Sequence, residues 1–247
     1  MNTKKDETIF GIYPLQEALA SDITFDKVFV QQGHNNDKID ELVRQMEALN
    51  ITINPVPKEK LNRLTRGNHQ GIVGLTSPIR FYDLVTVVET ALSTHKTPLF
   101  IILDQISDVR NFGAILRTAE CTGVDGVIIP KSGGAPITGD TVKASAGAIF
   151  NVPISKVDHI KDAIYYMQAS GIKTIAATEK TDQNLYALDF KEPLAIVMGS
   201  EGKGISHSVL SLVDEKASLP LLGEVNSLNV SVACGAFLYE IIRQRNH

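Results

Sequence analysis

Apolar positions along this chain switch repeatedly between helical and strand spacing. Tyr13–Ala20 reads as a short helix and Lys27–Gln31 as a strand. Asp37–Leu49 is amphipathic, with Ile39, Leu42, Val43 and Met46 three and four apart on one helical face. Ile51–Ile53 reads as a second strand. A helix opened by Pro57 and closed by Gly67 follows, and then a strand at Gly71–Thr76. These elements predict a small α/β unit over residues 1–77.

Ser77-Pro78 interrupts the pattern. Leu84–Leu92 has helical periodicity and reads as a bridge, making residues 78–97 a linker. Beyond Pro98 the spacing alternates again, with strands expected at Leu99–Asp104, Val127–Ile129, Lys173–Ala177, Leu194–Met198 and Ala217–Leu219. Helices fall between them, and a last helix runs from about Asn229 to Arg243. Apolar strands separated by helices predict a parallel sheet covered on both faces, so residues 98–247 read as an α/β domain.

Composition adds exclusions. The longest apolar runs fall far short of the ~20 residues a membrane helix needs. Met1–Glu7 is polar with no apolar run behind it, so no secretory signal is visible and a cytoplasmic location is expected. Cys121 and Cys234 lie apart among apolar neighbours and read as buried core residues, not a disulfide. The net charge of −4 argues against a protein that coats nucleic acid indiscriminately. The first 80 residues are nonetheless neutral overall, and Lys58, Lys60, Arg63, Arg66 and Arg80 gather within Val56–Arg80. Such a patch fits either selective docking to phosphates or an ordinary solvated face.

Chemistry is expected at the carboxyl ends of the parallel strands. Three segments stand there. The first, Asn111-Phe-Gly-Ala-Ile-Leu-Arg117-Thr-Ala, has Asn111 suited to an N-cap, Gly113 permitting close approach, and Arg117 on the same face as Gly113. The second, Met198-Gly-Ser-Glu-Gly-Lys-Gly204-Ile, places three glycines in six residues at a strand-to-helix junction. That costs chain entropy and suits backbone contact with a ligand, while Glu201 would repel a polyphosphate. The third runs from Leu219 through Gly223 to Ala233. It crowds Asn226, Ser227, Asn229 and Ser231 at a helix start, and Leu219, Leu221 and Leu228 are available as apolar walls or as core.

In succession, NFGAILRTA, MGSEGKGIS and PLLGEVNSLNVSVA resemble the three motifs of the SpoU (TrmH-like) branch of the SPOUT RNA 2′-O-ribose methyltransferases. The resemblance covers essentially all of Leu99–Arg243. Phe10-Gly-Ile-Tyr-Pro and Asn68-His-Gln-Gly-Ile-Val-Gly74 resemble that family's substrate-binding domain, which is similar to ribosomal protein L30e. The arrangement is similar to enzymes that methylate a guanosine of 23S ribosomal RNA. The resemblance implies a C-terminal trefoil knot, a homodimer and S-adenosylmethionine as cofactor. It implies that Gly199, Leu219 and Leu228 hold the cofactor, with Leu221 and Thr178 as further candidates. Arg117, Asn111, Glu201 and Asn229 would form the catalytic group. No metal is implied.

Arginine, with a pKa of ~12.5 or above, is a poor base at neutral pH, so Arg117 is better cast as a phosphate clamp. Asn229 and Glu201 would then orient the site. His69, beside the basic patch, is open to an RNA contact or to a turn-stabilising role; Arg63 and Arg66 are candidates for RNA binding. The apolar Phe237, Leu238, Ile241 and Ile242 of the last helix suggest a surface for a second copy. Two rival readings are a methyltransferase acting on transfer RNA and a non-catalytic RNA-binding protein.

Overall fold

A computed structural model describes residues 8–21 and 23–246; the polar Met1–Glu7 segment and His247 lie outside the described residues. Two compact units are present. One holds the residues up to Arg80 with Ile137–Gly139, and the other holds Phe81–Pro136 and the residues from Asp140 onward.

The first unit runs β1 (Thr8–Phe10), α1 (Ile12–Ala20), β2 (Phe25–Gln31), α2 (Asp37–Ala48), β3 (Ile53–Val56), α3 (Lys58–Leu64) and β4 (Ile72–Thr76). Its four strands lie in the order β1-β4-β2-β3. β4 is antiparallel to both neighbours, and β2 and β3 are parallel. Asn36 caps α2 by accepting from the Lys38 N–H at 3.0 Å. The spacing of Ile39, Leu42 and Met46 then buries that helix edge with Leu15 and Val28. Leu61 of α3 packs separately with Phe29, Val56 and Val73. The strand expected at Ile51–Ile53 begins only at Ile53. β1, with three residues, carries too short a pattern to read from sequence.

The second unit runs α4 (Leu84–Thr94), β5 (Leu99–Asp104), α5 (Val109–Cys121), β6 (Gly126–Pro130), α6 (Gly139–Ala144), β7 (Ile154–Val157), α7 (Ile160–Ala169), β8 (Lys173–Ala177), β9 (Leu194–Gly199), α8 (His207–Leu210), β10 (Glu215–Ala217) and α9 (Val230–Arg245). Six parallel strands lie in the order β10-β8-β9-β5-β6-β7. All six residues of β5 are buried, as a central strand covered on both faces requires. The sheet runs two residues less far than expected at its edge: β10 ends at Ala217, which frees Leu219 from the strand. β7 and α6 went unread because both are short.

The helix read as a bridge is part of this unit. Val87, Val88 and Ala91 of α4 enter the core with Phe100, Ile128 and Ile164, so its apolar stripe is covered here. Cys121 is exposed at the end of α5, contrary to its expected burial, while Cys234 is buried; both thiols are free. Of the α9 residues expected to meet a second copy, Phe237, Leu238 and Ile241 are buried by this chain itself and Ile242 is half-buried. Each such side chain contributes ~1.5–3 kcal/mol on burial. The exposed apolar side chains of α9 are instead Val232 and Tyr239. Arg245 closes the unit, donating to the carbonyls of Thr97 (2.6 Å), Phe190 (3.0 Å) and Glu192 (2.8 Å). Burial lowers its pKa from the ordinary arginine value, opposed by the Asp125 charge. No described helix is long and apolar enough to cross a membrane.

Candidate active site

β8, β9 and β5 lie side by side, and the segments that follow β8 and β9 meet residues 219–237 in one pocket. The glycine-rich loop after β9 folds back on itself: the Ser200 N–H donates to the Gly204 carbonyl at 3.2 Å and the Gly204 N–H to the Ser200 carbonyl at 2.8 Å. Gly202 (φ 85°) and Gly204 (φ 70°) adopt left-handed backbone that a side chain would strain. Gly199 is required for a different reason. A Cβ there would fall 2.2 Å from both the Gly204 carbonyl carbon and the Ile205 nitrogen. The loop exit is pinned by Asp104, buried at the end of β5 opposite Gly199, whose Oδ2 accepts from the Ser206 N–H at 2.7 Å. Asp104 was missed from sequence, where its signal is one carboxylate ending an otherwise apolar strand.

The resulting cavity of about 320 Å³ is lined by Gly199, Thr178, Leu219, Leu221 and Leu228, all five of the residues expected at the cofactor. That volume falls within the usual range for small-molecule sites. Met198, Ile205, Val230 and Phe237 add apolar wall that sequence reasoning did not assign, and Glu201 and Glu179 supply carboxylates. Thr178 is buried, with its Oγ1 accepting from the Lys180 N–H at 3.2 Å, so its hydroxyl serves the turn. An apolar slot with backbone groups from the glycine loop and nearby carboxylates fits a flat heterocycle joined to a cation, the composition of S-adenosylmethionine.

At the pocket's edge, Asn229 caps α9. Its Oδ1 accepts from the Ser231 N–H (3.0 Å), the Ser231 hydroxyl (2.5 Å) and the Val232 N–H (3.3 Å). Capping thus fixes which way the amide faces, and Nδ2 donates to Glu201 Oε1 in a short hydrogen bond and to Asn111 Oδ1 at 2.9 Å. Glu201 Oε1 also accepts from the Val230 N–H at 3.3 Å. One residue from each motif is therefore joined in a single chain: Glu201, Asn229, Asn111. Asn111 accepts through its oxygen, so its own amide N–H groups take no part in that chain of bonds. It is not an N-cap; Asp108 caps α5, accepting from the Asn111 N–H at 2.8 Å.

Arg117 stands apart from this cluster. It is exposed on α5, six residues beyond Asn111, or about 9 Å along the helix axis. It makes no ion pair with a described residue. Gly113, one turn before it, serves packing: a Cβ would lie 2.4 Å from the Ala144 Cβ and 2.7 Å from the Ala144 carbonyl carbon, so α5 and α6 meet at backbone distance.

In the first unit Arg63 and Arg66 are exposed, as an RNA contact needs. His69 is not. It is 6% exposed, its Nδ1 accepts from the Gly71 N–H at 3.0 Å, and its Nε2 lies 3.0 Å from Asn62 Oδ1. With Nδ1 an acceptor, Nε2 carries the proton and donates to Asn62. Of the two roles open to His69, the turn-stabilising one is what the fold shows, because no ring face is left for a base. Among the described residues no group of three or more His, Cys, Asp or Glu side chains could hold a metal ion.

Residues 98–239 match the model of the SpoU rRNA methylase family, and residues 8–82 match the RNA 2′-O ribose methyltransferase substrate-binding model. The chain belongs to the SpoU family of RNA methyltransferases. It is 36% identical over 244 residues to a Staphylococcus haemolyticus chain named for the TrmH family of tRNA/rRNA methyltransferases, covering 98% of this chain and 97% of the other. The fold is similar to the AdoMet-bound rRNA methyltransferase from Sinorhizobium meliloti (TM-score 0.60, 24% identity, 96% of this chain and 87% of that one). It is also similar to the A. aeolicus TrmH/SpoU tRNA modifying enzyme (TM-score 0.56, 30% identity), which covers 66% of this chain and 82% of its own.

Proposed function

We propose that the chain methylates a ribose 2′-hydroxyl in structured RNA, a guanosine of 23S ribosomal RNA, using S-adenosylmethionine held in the 320 Å³ pocket. The observation that carries this reading is that the second and third motifs line that pocket while the first joins them at its edge through the Glu201–Asn229–Asn111 chain. Gly199, Leu219, Leu221, Leu228 and Thr178 hold the cofactor, partly through main-chain atoms. When bound, the cofactor supplies an activated methyl group, so the protein's work is alignment and charge.

Asn229, locked by its own capping bonds, fixes the Glu201 carboxylate and the Asn111 amide. Asn111 offers its N–H groups to the substrate, and Arg117, free of internal partners, clamps a backbone phosphate and favours negative charge developing on the 2′-oxygen. In the first unit, residues 1–77 select the RNA through Arg63 and Arg66. Ribosomal RNA is favoured over transfer RNA because the S. meliloti enzyme matches this chain across both units, whereas the tRNA modifying enzyme matches 66% of it.

The reading includes a cytoplasmic homodimer, a C-terminal trefoil knot and an L30e-like first domain. Support for the knot comes from α9 returning against α5 while residues 219–228 and the 199–205 loop share one pocket. Support for the dimer comes from the exposed Leu222, Val225, Val232 and Tyr239.

The test is to map 2′-O-methyl sites in RNA from a strain lacking this protein, and to restore them with purified protein and S-adenosylmethionine. Loss of one ribosomal guanosine mark, restored in vitro, is expected. An unchanged ribosomal map with a lost transfer-RNA mark would establish the rival target. Absence of cofactor binding would establish the non-catalytic one.

A further inference from the structure

Lysine side chains lie over three aromatic rings among the described residues: Lys38 over Tyr13, Lys60 over Phe29 and Lys156 over Phe81. Phe29 is buried and Phe81 half-buried, so in both pairs the ring belongs to the packing. Tyr13 differs. It is 58% exposed at the start of α1, and the Lys38 Nζ lies 5.1 Å from its ring centroid while donating to its hydroxyl at 2.8 Å. The lysine thus steers the phenol from its polar end and leaves ring surface open. That hydrogen bond, with the lysine charge behind it, also lowers the tyrosine pKa below the ordinary value.

The ring stands on a rigid base. Gln70, held at φ 51°, accepts from the Ile12 N–H through Oε1 at 3.0 Å, and so fastens the turn before β4 to the first turn of α1. Gly67 of the same turn lies against Phe10, where a Cβ would meet the ring at 2.3 Å. Arg66 leads into that turn and is exposed. An open aromatic face, an ammonium at its edge and a guanidinium on the adjoining turn together match one chemistry, an unpaired base with its flanking phosphates. A base inside a duplex has its faces covered by its neighbours and cannot reach such a ring.

We propose that an unpaired nucleotide of the RNA substrate stacks on Tyr13, with Lys38 engaging its backbone phosphate, so that the first unit recognises a loop or bulge and not a helix. This rests on the RNA methyltransferase reading and adds the conformation of the RNA that the first unit takes.

The chain contains no tryptophan, so Tyr13→Trp creates a single fluorescent reporter at the site. Single-stranded oligoadenylate and its duplex with oligouridylate serve as probes at low salt, where phosphate contacts bind strongly. Saturation is followed independently by the anisotropy of labelled RNA. Quenching of the Tyr13→Trp emission by the single strand and not by the duplex is expected. Tyr13→Ala should weaken single-strand binding by about five- to 150-fold, the range for losing one stacked base. Tyr13→Phe should bind within twofold of the wild type, and S-adenosylmethionine binding should be unchanged in all variants. Emission unmoved at saturation, equal quenching by the duplex, undetectable wild-type binding of the single strand, or wild-type affinity in Tyr13→Ala each overturn the proposal. Methyl transfer by the wild type, measured alongside, separates these outcomes from failure of the enzymatic reading, since transfer can persist when the stacking site is refuted.

Discussion

The Asp104 carboxylate and the Ser206 backbone N–H, 102 positions apart in sequence, are joined at 2.7 Å beside the pocket proposed for the cofactor. The bond ties the end of the central strand β5 to the exit of the glycine loop that follows β9. Asp104→Ala leaves a partly buried donor unpaired at a cost of ~1–3 kcal/mol, and the loop it anchors loosens. Calorimetry should show weaker S-adenosylmethionine binding, with RNA binding by the first unit unchanged. Full cofactor affinity in a folded Asp104→Ala protein would remove the anchoring role.

Gly199→Ala should be more severe. The added methyl meets backbone at 2.2 Å, and backbone cannot swing aside as a flexible side chain can. The loop must open, so cofactor binding should disappear while circular dichroism still reports a folded sheet. A Gly199→Ala protein that binds cofactor normally would show that the loop has a second workable conformation.

Arg117→Ala should retain cofactor affinity and lose turnover, since Arg117 lies outside the pocket lining. A lost charge-assisted contact of ~1.5–3 kcal/mol corresponds to roughly ten- to 150-fold in RNA affinity. Arg117→Lys keeps the charge without the fork and should recover part of the rate. Single-turnover methylation on both variants checks this; wild-type rates in Arg117→Ala would refute the clamp.

Asn229 does two jobs that one pair of variants can separate. Asn229→Ala loses the cap of α9, about 0.5–2 kcal/mol, together with the bonds to Glu201 and Asn111. Asn229→Asp keeps a capping oxygen but replaces the donor with a second carboxylate beside Glu201. Thermal melts should therefore rank Asn229→Asp above Asn229→Ala, with methyl transfer low in both. An active Asn229→Asp would show that the donated hydrogen bonds are dispensable.

The two cysteines should label unequally. Cys121 is exposed, whereas burial pushes the Cys234 thiol up to about 12, leaving almost no thiolate at pH 8 and no access. Mass spectrometry after alkylation should find one adduct in the native protein and two after urea. Rapid double labelling without denaturant would contradict the burial of α9.

The long elements were readable because their apolar spacing is set by burial. β5 and β8 match their expected ends, since a covered strand is apolar over most of its length, with the polar residues Lys173 and Asp104 at the ends. Short elements carry too few positions to show a period, which is why β1 and β7 were invisible. Local propensity also misled. Asn111 is a good capping residue, but Asp108 three positions earlier does the capping, and only the start of the helix could distinguish them. Leu238 and Ile241 illustrate the same limit at larger scale. Periodicity shows that a face is apolar and is silent on whether the same chain or another covers it. The pocket wall was legible through its glycines and leucines, whereas Asp104 acts through one backbone contact made only after the sheet assembles.

The bond from Arg245 to Thr97 spans 148 positions and has a consequence for the order in which the molecule becomes itself. The first unit has every strand of its sheet once Thr76 has been synthesised, apart from the few later residues grouped with it. The second must keep its β5 edge waiting until residue 245 arrives, because the last helix supplies both a face of the core and the residues that seal the start of that strand. Long-range closure of this kind is slow. During synthesis the chain therefore carries the complete sheet of its first unit well before the second unit can close.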